Sequence, residues 1–160
     1  MKIVGDVDPR EVIGAVFGAD QDGHPIELLG TGSIIGDGTI VLTADHVIRE
    51  FKGPLKFAVI IQNQPQSFPL TVIESDWRRD LALLRIGGYR APDPLHVLFD
   101  VKVSYNTDLL TLEYAQTQRQ TDGKFLLNPA MRRGHKTRNL DTDKMAPISG
   151  QGALEVSFRH

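Results

Sequence analysis

The chain has 160 residues, a formal charge of −2, 41% apolar residues and 24% charged residues. It is long enough for one domain, or two small subdomains sharing an interface, and its charge gives no long-range pull toward nucleic acid or an anionic membrane. It contains no cysteine, which excludes disulfides, thiol catalysis and cysteine-ligated zinc within these residues.

In chain order, Met1 to Arg10 is polar and irregular, with Asp8 and Pro9 marking a turn. The N-terminal stretch lacks a basic region followed by an apolar core and a small-residue cleavage site, and no apolar run approaches bilayer length. The expectation is a cytoplasmic protein without a membrane span. Glu11 to Phe17 reads as the first strand, and Asp20 to Pro25 as a turn whose spacing only superficially resembles a calcium loop. Ile26 to Leu29 leads into Gly30–Ile48, GTGSIIGDGTIVLTADHVI. Two β-branched runs around Gly36-Asp37-Gly38 predict a hairpin, because that turn tolerates positive φ angles. The hairpin carries His46 to a strand end.

His46 to Glu50 reads as one helical turn stopped by Gly53-Pro54. Leu55 to Ile61 and Phe68 to Glu74 are predicted strands joined by a turn over Gln62 to Gln66. Leu81 to Ile86 completes about six short strands without a long helix between them, the pattern of a small closed β-barrel. Trp77 is expected to pack over the barrel end. Gly87 to Pro94 has linker composition. Further strands are expected at 96–103, 109–114, 125–127 and 153–158. The basic run Arg132 to Arg138 lacks aromatic interleaving and reads as a solvated loop, not a nucleic-acid site.

Chemistry concentrates on His46 and Asp80. A histidine with an ordinary pKa near ~6.5 suits general-base work. Asp80 opens the apolar run Leu81-Ala82-Leu83-Leu84, so its carboxylate belongs at the edge of the core. A carboxylate there can accept Nδ1–H of an imidazole, fix its tautomer and stabilise the imidazolium.

Gly-x-Gly-x-Ile-Ile at 30–35, Ile-Val-Leu-Thr-Ala-Asp-His-Val at 40–47 and Asp-Leu-Ala-Leu-Leu at 80–84 resemble the trypsin-like (chymotrypsin-fold) serine peptidases, particularly their bacterial, cysteine-free members. The resemblance implies an all-β double barrel of chymotrypsin-like type. The expectation is a complete first barrel (1–90) that carries the histidine and aspartate, with 91–160 forming part of the second barrel. The resemblance implies His46 as general base and Asp80 as orienting acid. It also implies a polypeptide substrate or protein partner and no cofactor or metal. The family usually has a small residue before the histidine; Asp45 here is either an added charge beside the imidazole or a solvated side chain. Cleavage before Ile3 could in principle release a zymogen-type amino terminus, but an ordinary N-terminal segment is expected.

The Gly-x-Ser-Gly-Gly turn of that family is missing. Its glycines let two backbone N–H groups aim at the oxyanion. The nearest candidate nucleophile is Ser149, followed by Gly150, but Pro147 two residues earlier has no N–H to donate. Ser157 lies in a predicted strand without flanking glycine. The preferred alternative places the nucleophile beyond residue 160, in a truncated chain whose open sheet edges favour self-association. Two functional readings result: a trypsin-like serine endopeptidase, and a catalytically silent peptidase-fold module that binds or regulates another protein.

Overall fold

The structure is a computed structural model that describes residues 8–97, 102–139 and 154–158. Six antiparallel strands form a closed barrel: β1 (Ile13–Ala19), β2 (Pro25–Ile35), β3 (Ile40–Thr43), β4 (Leu55–Ile61), β5 (Gln64–Asp76) and β6 (Leu81–Ile86). Their order around the barrel is β1-β2-β3-β6-β5-β4. Closure gives each of the six strands two neighbours, which is how such short strands become stable. A single short helix, α1 (Asp45–Arg49), interrupts the strands between β3 and β4.

Period-2 alternation fills the barrel. Val16, Ile34, Val41, Phe57, Val59 and Leu84 point inward and are fully buried, while Ile40, Leu42 and Leu83, one residue out of phase, are only partly covered. β1 departs from alternation and is buried along almost its whole length. The cause is a second apolar cluster on its outer face, where Ala15, Phe17 and Ala58 meet Leu112 and Tyr114. A strand covered on both faces loses its polar side.

Local turns explain the boundaries. β1 starts at Ile13, two residues later than predicted, because Pro9–Glu11 forms a 3-10 turn capped by Asp8, which accepts the Arg10 N–H at 3.0 Å. The turn predicted over Gln62 to Gln66 shrinks to Gln62 and Asn63, with φ of 49° and 63°. Two successive left-handed residues make the tight hairpin turn that matches strand twist. β5 therefore begins at Gln64 and contains Pro65 and Pro69. Both prolines fall where β5 bonds only β4, since pairing with β6 begins at Leu70. A missing N–H is tolerated on such an open side.

The Gly36-Asp37-Gly38 hairpin forms as predicted, with φ of 64° at Gly36 and 89° at Gly38. Asp37 Oδ1 accepts from the Thr39 N–H at 2.9 Å. The segment after β6 runs back across this turn. Ala91 N–H donates to Gly38 O and Leu95 N–H to Ile34 O, each at 2.9 Å, and Tyr89 stacks on Phe68 with centroids 4.8 Å apart. A side chain at Gly38 would run into the Ala91 carbonyl.

Beyond this strap lie β7 (Asp108–Glu113), β8 (Gln118–Arg119), β9 (Phe125–Leu126), β10 (Ala130–Asn139) and β11 (Leu154–Phe158). They form a three-stranded sheet, β11-β10-β7, and a separate β8-β9 pair. Among the described residues the second barrel is thus incomplete, whereas the first is closed. The buried Tyr114 ties the two regions together: its hydroxyl donates to Ile13 O at 2.8 Å and its N–H to Thr31 Oγ1 at 3.3 Å.

Three expectations fail. The basic run 132–138 is not a loop but lies in β10, paired to β7 and β11. Charge density misled because lysine stems can be buried: Lys136 is 7% exposed and its Nζ donates to Val103 O at 2.5 Å. No strand forms in the described parts of 96–103. Trp77 does not pack over the barrel; it is 68% exposed, with Arg78 over its ring at 5.5 Å. Ser149 and Ile3 lie outside the described residues.

Candidate active site

His46 is placed by α1, which begins directly after β3. Ala44 is the extended residue before the helix, at φ −79° and ψ 142°, and Thr43 anchors the strand end by donating from Oγ1 to Thr31 O at 2.8 Å. Ile48 and Asp45 turn inward and His46 turns outward, its side chain 66% exposed. α1 rests on β2 at Gly30, where a Cβ would lie 2.8 Å from a Val47 methyl. That close approach explains the first glycine of the motif.

Asp80 comes from the turn between β5 and β6. Asp76 organises that turn: its Oδ1 accepts from the N–H groups of Arg78 at 3.0 Å and Arg79 at 3.2 Å. Asp80 itself is left-handed, with φ 54°, a conformation that a short polar side chain tolerates better than most. Its carboxylate, 21% exposed, then sits beneath α1. Oδ1 accepts the main-chain N–H of His46 at 2.8 Å, and Oδ2 lies 2.6 Å from His46 Nδ1.

The two hydrogen bonds from His46, the backbone one foremost, hold the Asp80 carboxyl below its ordinary range; the Arg49 charge adds to this. An ionised carboxylate only accepts, so Nδ1 carries the hydrogen, and in the neutral ring Nε2 is then the nitrogen with a lone pair. The geometry is that of a base whose tautomer is fixed by an acid. Among the described residues, the His46 ring makes no other hydrogen bond.

Asp45 is neither a charge facing the imidazole nor a solvated side chain. It is 4% exposed and grips Arg49, at 2.7 Å to Nε and 2.6 Å to Nη2. Sequence reasoning missed this pair, although the four-residue acid–base spacing within a helical turn was its signal.

Asp20, Asp22 and His24 bring potential metal-ligating atoms within 4.8 Å of one another. Asp20 Oδ1 is already engaged by the N–H groups of Asp22 at 3.0 Å and His24 at 2.8 Å, which makes it the clasp of the β1–β2 turn. A groove of about 560 Å³, lined by Phe17, Ala58, Phe125 and Leu127 among others, touches neither His46 nor Asp80. No helix among the described residues is long and apolar enough to cross a membrane.

The sequence pattern of the trypsin-like peptidase domain family matches residues 30–150. That range spans most of the chain and includes both His46 and Asp80. The chain belongs to the trypsin-like peptidase domain family.

Solved structures agree on the fold. The MamO protease domain from Magnetospirillum magneticum (apo form) is similar at TM-score 0.55 and 23% identity, over 82% of this chain and 63% of that one. The HtrA-type protease AlgW with a decapeptide is similar at TM-score 0.63 and 12% identity, over 93% and 49%. The Rv3671c protease from M. tuberculosis in its active form is similar at TM-score 0.56 and 19% identity, over 82% and 50%. The chain therefore spans about half to two thirds of these structures. A comparison with curated proteins finds no match.

Proposed function

We propose that this chain supplies the general base and orienting acid of a trypsin-like serine endopeptidase. The observation that carries the reading is the double hydrogen bond from His46 to Asp80, which leaves Nε2 free on an exposed ring. In this reading Nε2 takes the proton of a serine hydroxyl as Oγ bonds the peptide carbonyl carbon. The proton then passes to the leaving amine as the C–N bond breaks, giving an acyl-enzyme that water hydrolyses by the reverse route. Asp80 stays ionised and pairs with the imidazolium. A serine supplies the hydroxyl, and Ser149 is the candidate within the matched residues 30–150. The substrate class is polypeptide.

The second reading is a silent module that binds a protein partner. It is favoured by Pro147, two residues before Ser149 in the sequence, which has no N–H to donate to an oxyanion. Hydrolysis of a fluorogenic peptide library separates the two. The endopeptidase reading predicts cleavage that falls to background in His46→Ala; a partner bound equally by wild type and His46→Ala, with no cleavage in either, supports the module.

A further inference from the structure

The groove of about 560 Å³ lies between the outer face of the closed barrel and the β8–β9 hairpin, away from His46 and Asp80. Phe17 of β1, Ala58 of β4 and Ile26 of β2 line one side, and Phe125 and Leu127 the other. The rings of Phe17 and Phe125, 4.9 Å apart, hold the two sides together. Concave apolar sites of roughly 300–1,000 Å³ take small organic molecules.

Pro65, Gln66 and Ser67 of β5 line the groove as well, and up to Pro69 this strand pairs with β4 alone. Backbone groups alternate sides in an antiparallel ladder, so after the two-residue turn at Gln62-Asn63 it is Pro65, Ser67 and Pro69 that face the open side. Of these only Ser67 has an N–H. A peptide adding here as a strand would find a single donor, so the edge is closed to that mode. The charges select further. Asp20 Oδ1 accepts from the N–H groups of Asp22 at 3.0 Å and His24 at 2.8 Å, and Asp122 Oδ1 accepts from the Lys124 N–H at 2.9 Å. Both acids are thus engaged by their own turns. The two lining cations, Arg119 and Lys124, are exposed and form no ion pair among the described residues. The Arg119 guanidinium lies over the Phe125 ring, 5.8 Å from its centroid, which keeps it at the apolar surface.

We infer that this groove binds a small organic carboxylate, its apolar body against Phe17, Ala58 and Phe125 and its charge beside Arg119 and Lys124. The site is separate from the proposed peptidase chemistry, and its test involves no turnover. Decanoate, decan-1-ol and decyltrimethylammonium share one apolar body and differ in charge. Each is titrated below its micelle-forming concentration against the full chain, and backbone amide shifts are read by NMR.

The expected result is shifts clustered at Phe17, Ala58, Ser67, Phe125 and Leu127, with decanoate binding tightest and its advantage shrinking as salt is raised. Arg119→Gln and Lys124→Gln each reduce the decanoate preference about two- to fivefold, the range of exposed ion pairs, and leave decan-1-ol affinity unchanged. Arg119→Lys combined with Lys124→Arg keeps the preference. Equal affinity for the three probes overturns the inference, as does a decanoate preference that survives in the Arg119→Gln, Lys124→Gln double variant. Shifts that are absent from these amides, or spread over the chain without clustering there, overturn it too.

Discussion

Asp80 holds His46 at two points, the main-chain N–H at 2.8 Å and Nδ1 at 2.6 Å, from a backbone with φ 54°. One carboxylate thus fixes both the start of α1 and the orientation of the ring it carries. Asp80→Asn keeps the shape but can turn an amide N–H toward Nδ1, which selects the other tautomer. The expected outcome in a peptide-hydrolysis assay is a rate lower by roughly 10⁴-fold, with the fold retained by circular dichroism.

The same pair makes stability depend on acid pH. The folded Asp80 carboxyl lies below its ordinary value, so its contribution is fully present above the unfolded value, near ~3.9. It is lost as pH falls through the lower folded value. Urea unfolding between pH 6 and pH 2 should therefore show a steeper loss below about pH 4 in wild type than in Asp80→Asn.

At the alkaline end Tyr114 acts with the opposite sign. Burial pushes its phenol up to about 12, and its hydroxyl donates to Ile13 O at 2.8 Å. Its contribution is complete below the unfolded value near ~10 and disappears as pH rises toward the folded one, a loss on the order of 2–3 kcal/mol. Tyr114→Phe should be less stable at neutral pH by about 1 kcal/mol and show a shallower decline between pH 10 and pH 12.

Arg49→Met would leave Asp45, 4% exposed, without its cation. Because Arg49 is half-exposed, water replaces part of the lost interaction, and a cost of about 1–3 kcal/mol is expected in urea unfolding. Combining it with Asp45→Asn should recover much of that loss, since the double variant buries no unpaired charge.

Gly38→Ala tests the strap across the barrel. The residue combines φ 89° with close approach to the Ala91 carbonyl, so alanine is strained twice. A loss of about 1–3 kcal/mol is expected, with the amide signals of Ala91 and Leu95 displaced.

The barrel was legible because its strands follow local rules. Leu55–Ile61 and Leu81–Ile86 match the predicted bounds, since alternation and flanking turn residues act within a few positions. His46 and Asp80 were legible as motif residues, but their two-point bond was not, because it depends on a left-handed backbone at a non-glycine residue. Where tertiary burial overrides composition, reading failed. Lys136 sits inside a sheet despite its basic neighbours, and β1 is buried on a face covered by Leu112, Tyr114 and Phe125 from far along the chain. Asp45 was judged by its neighbour His46 when its partner was Arg49, one helical turn away.

The central claim is that the His46–Asp80 pair activates a serine. Intact-mass spectrometry of the full chain after exposure to a fluorophosphonate tests it most directly. The account predicts one adduct, on a single serine, that is lost in His46→Ala. No adduct on the wild-type chain, or one that forms equally in His46→Ala, would contradict it.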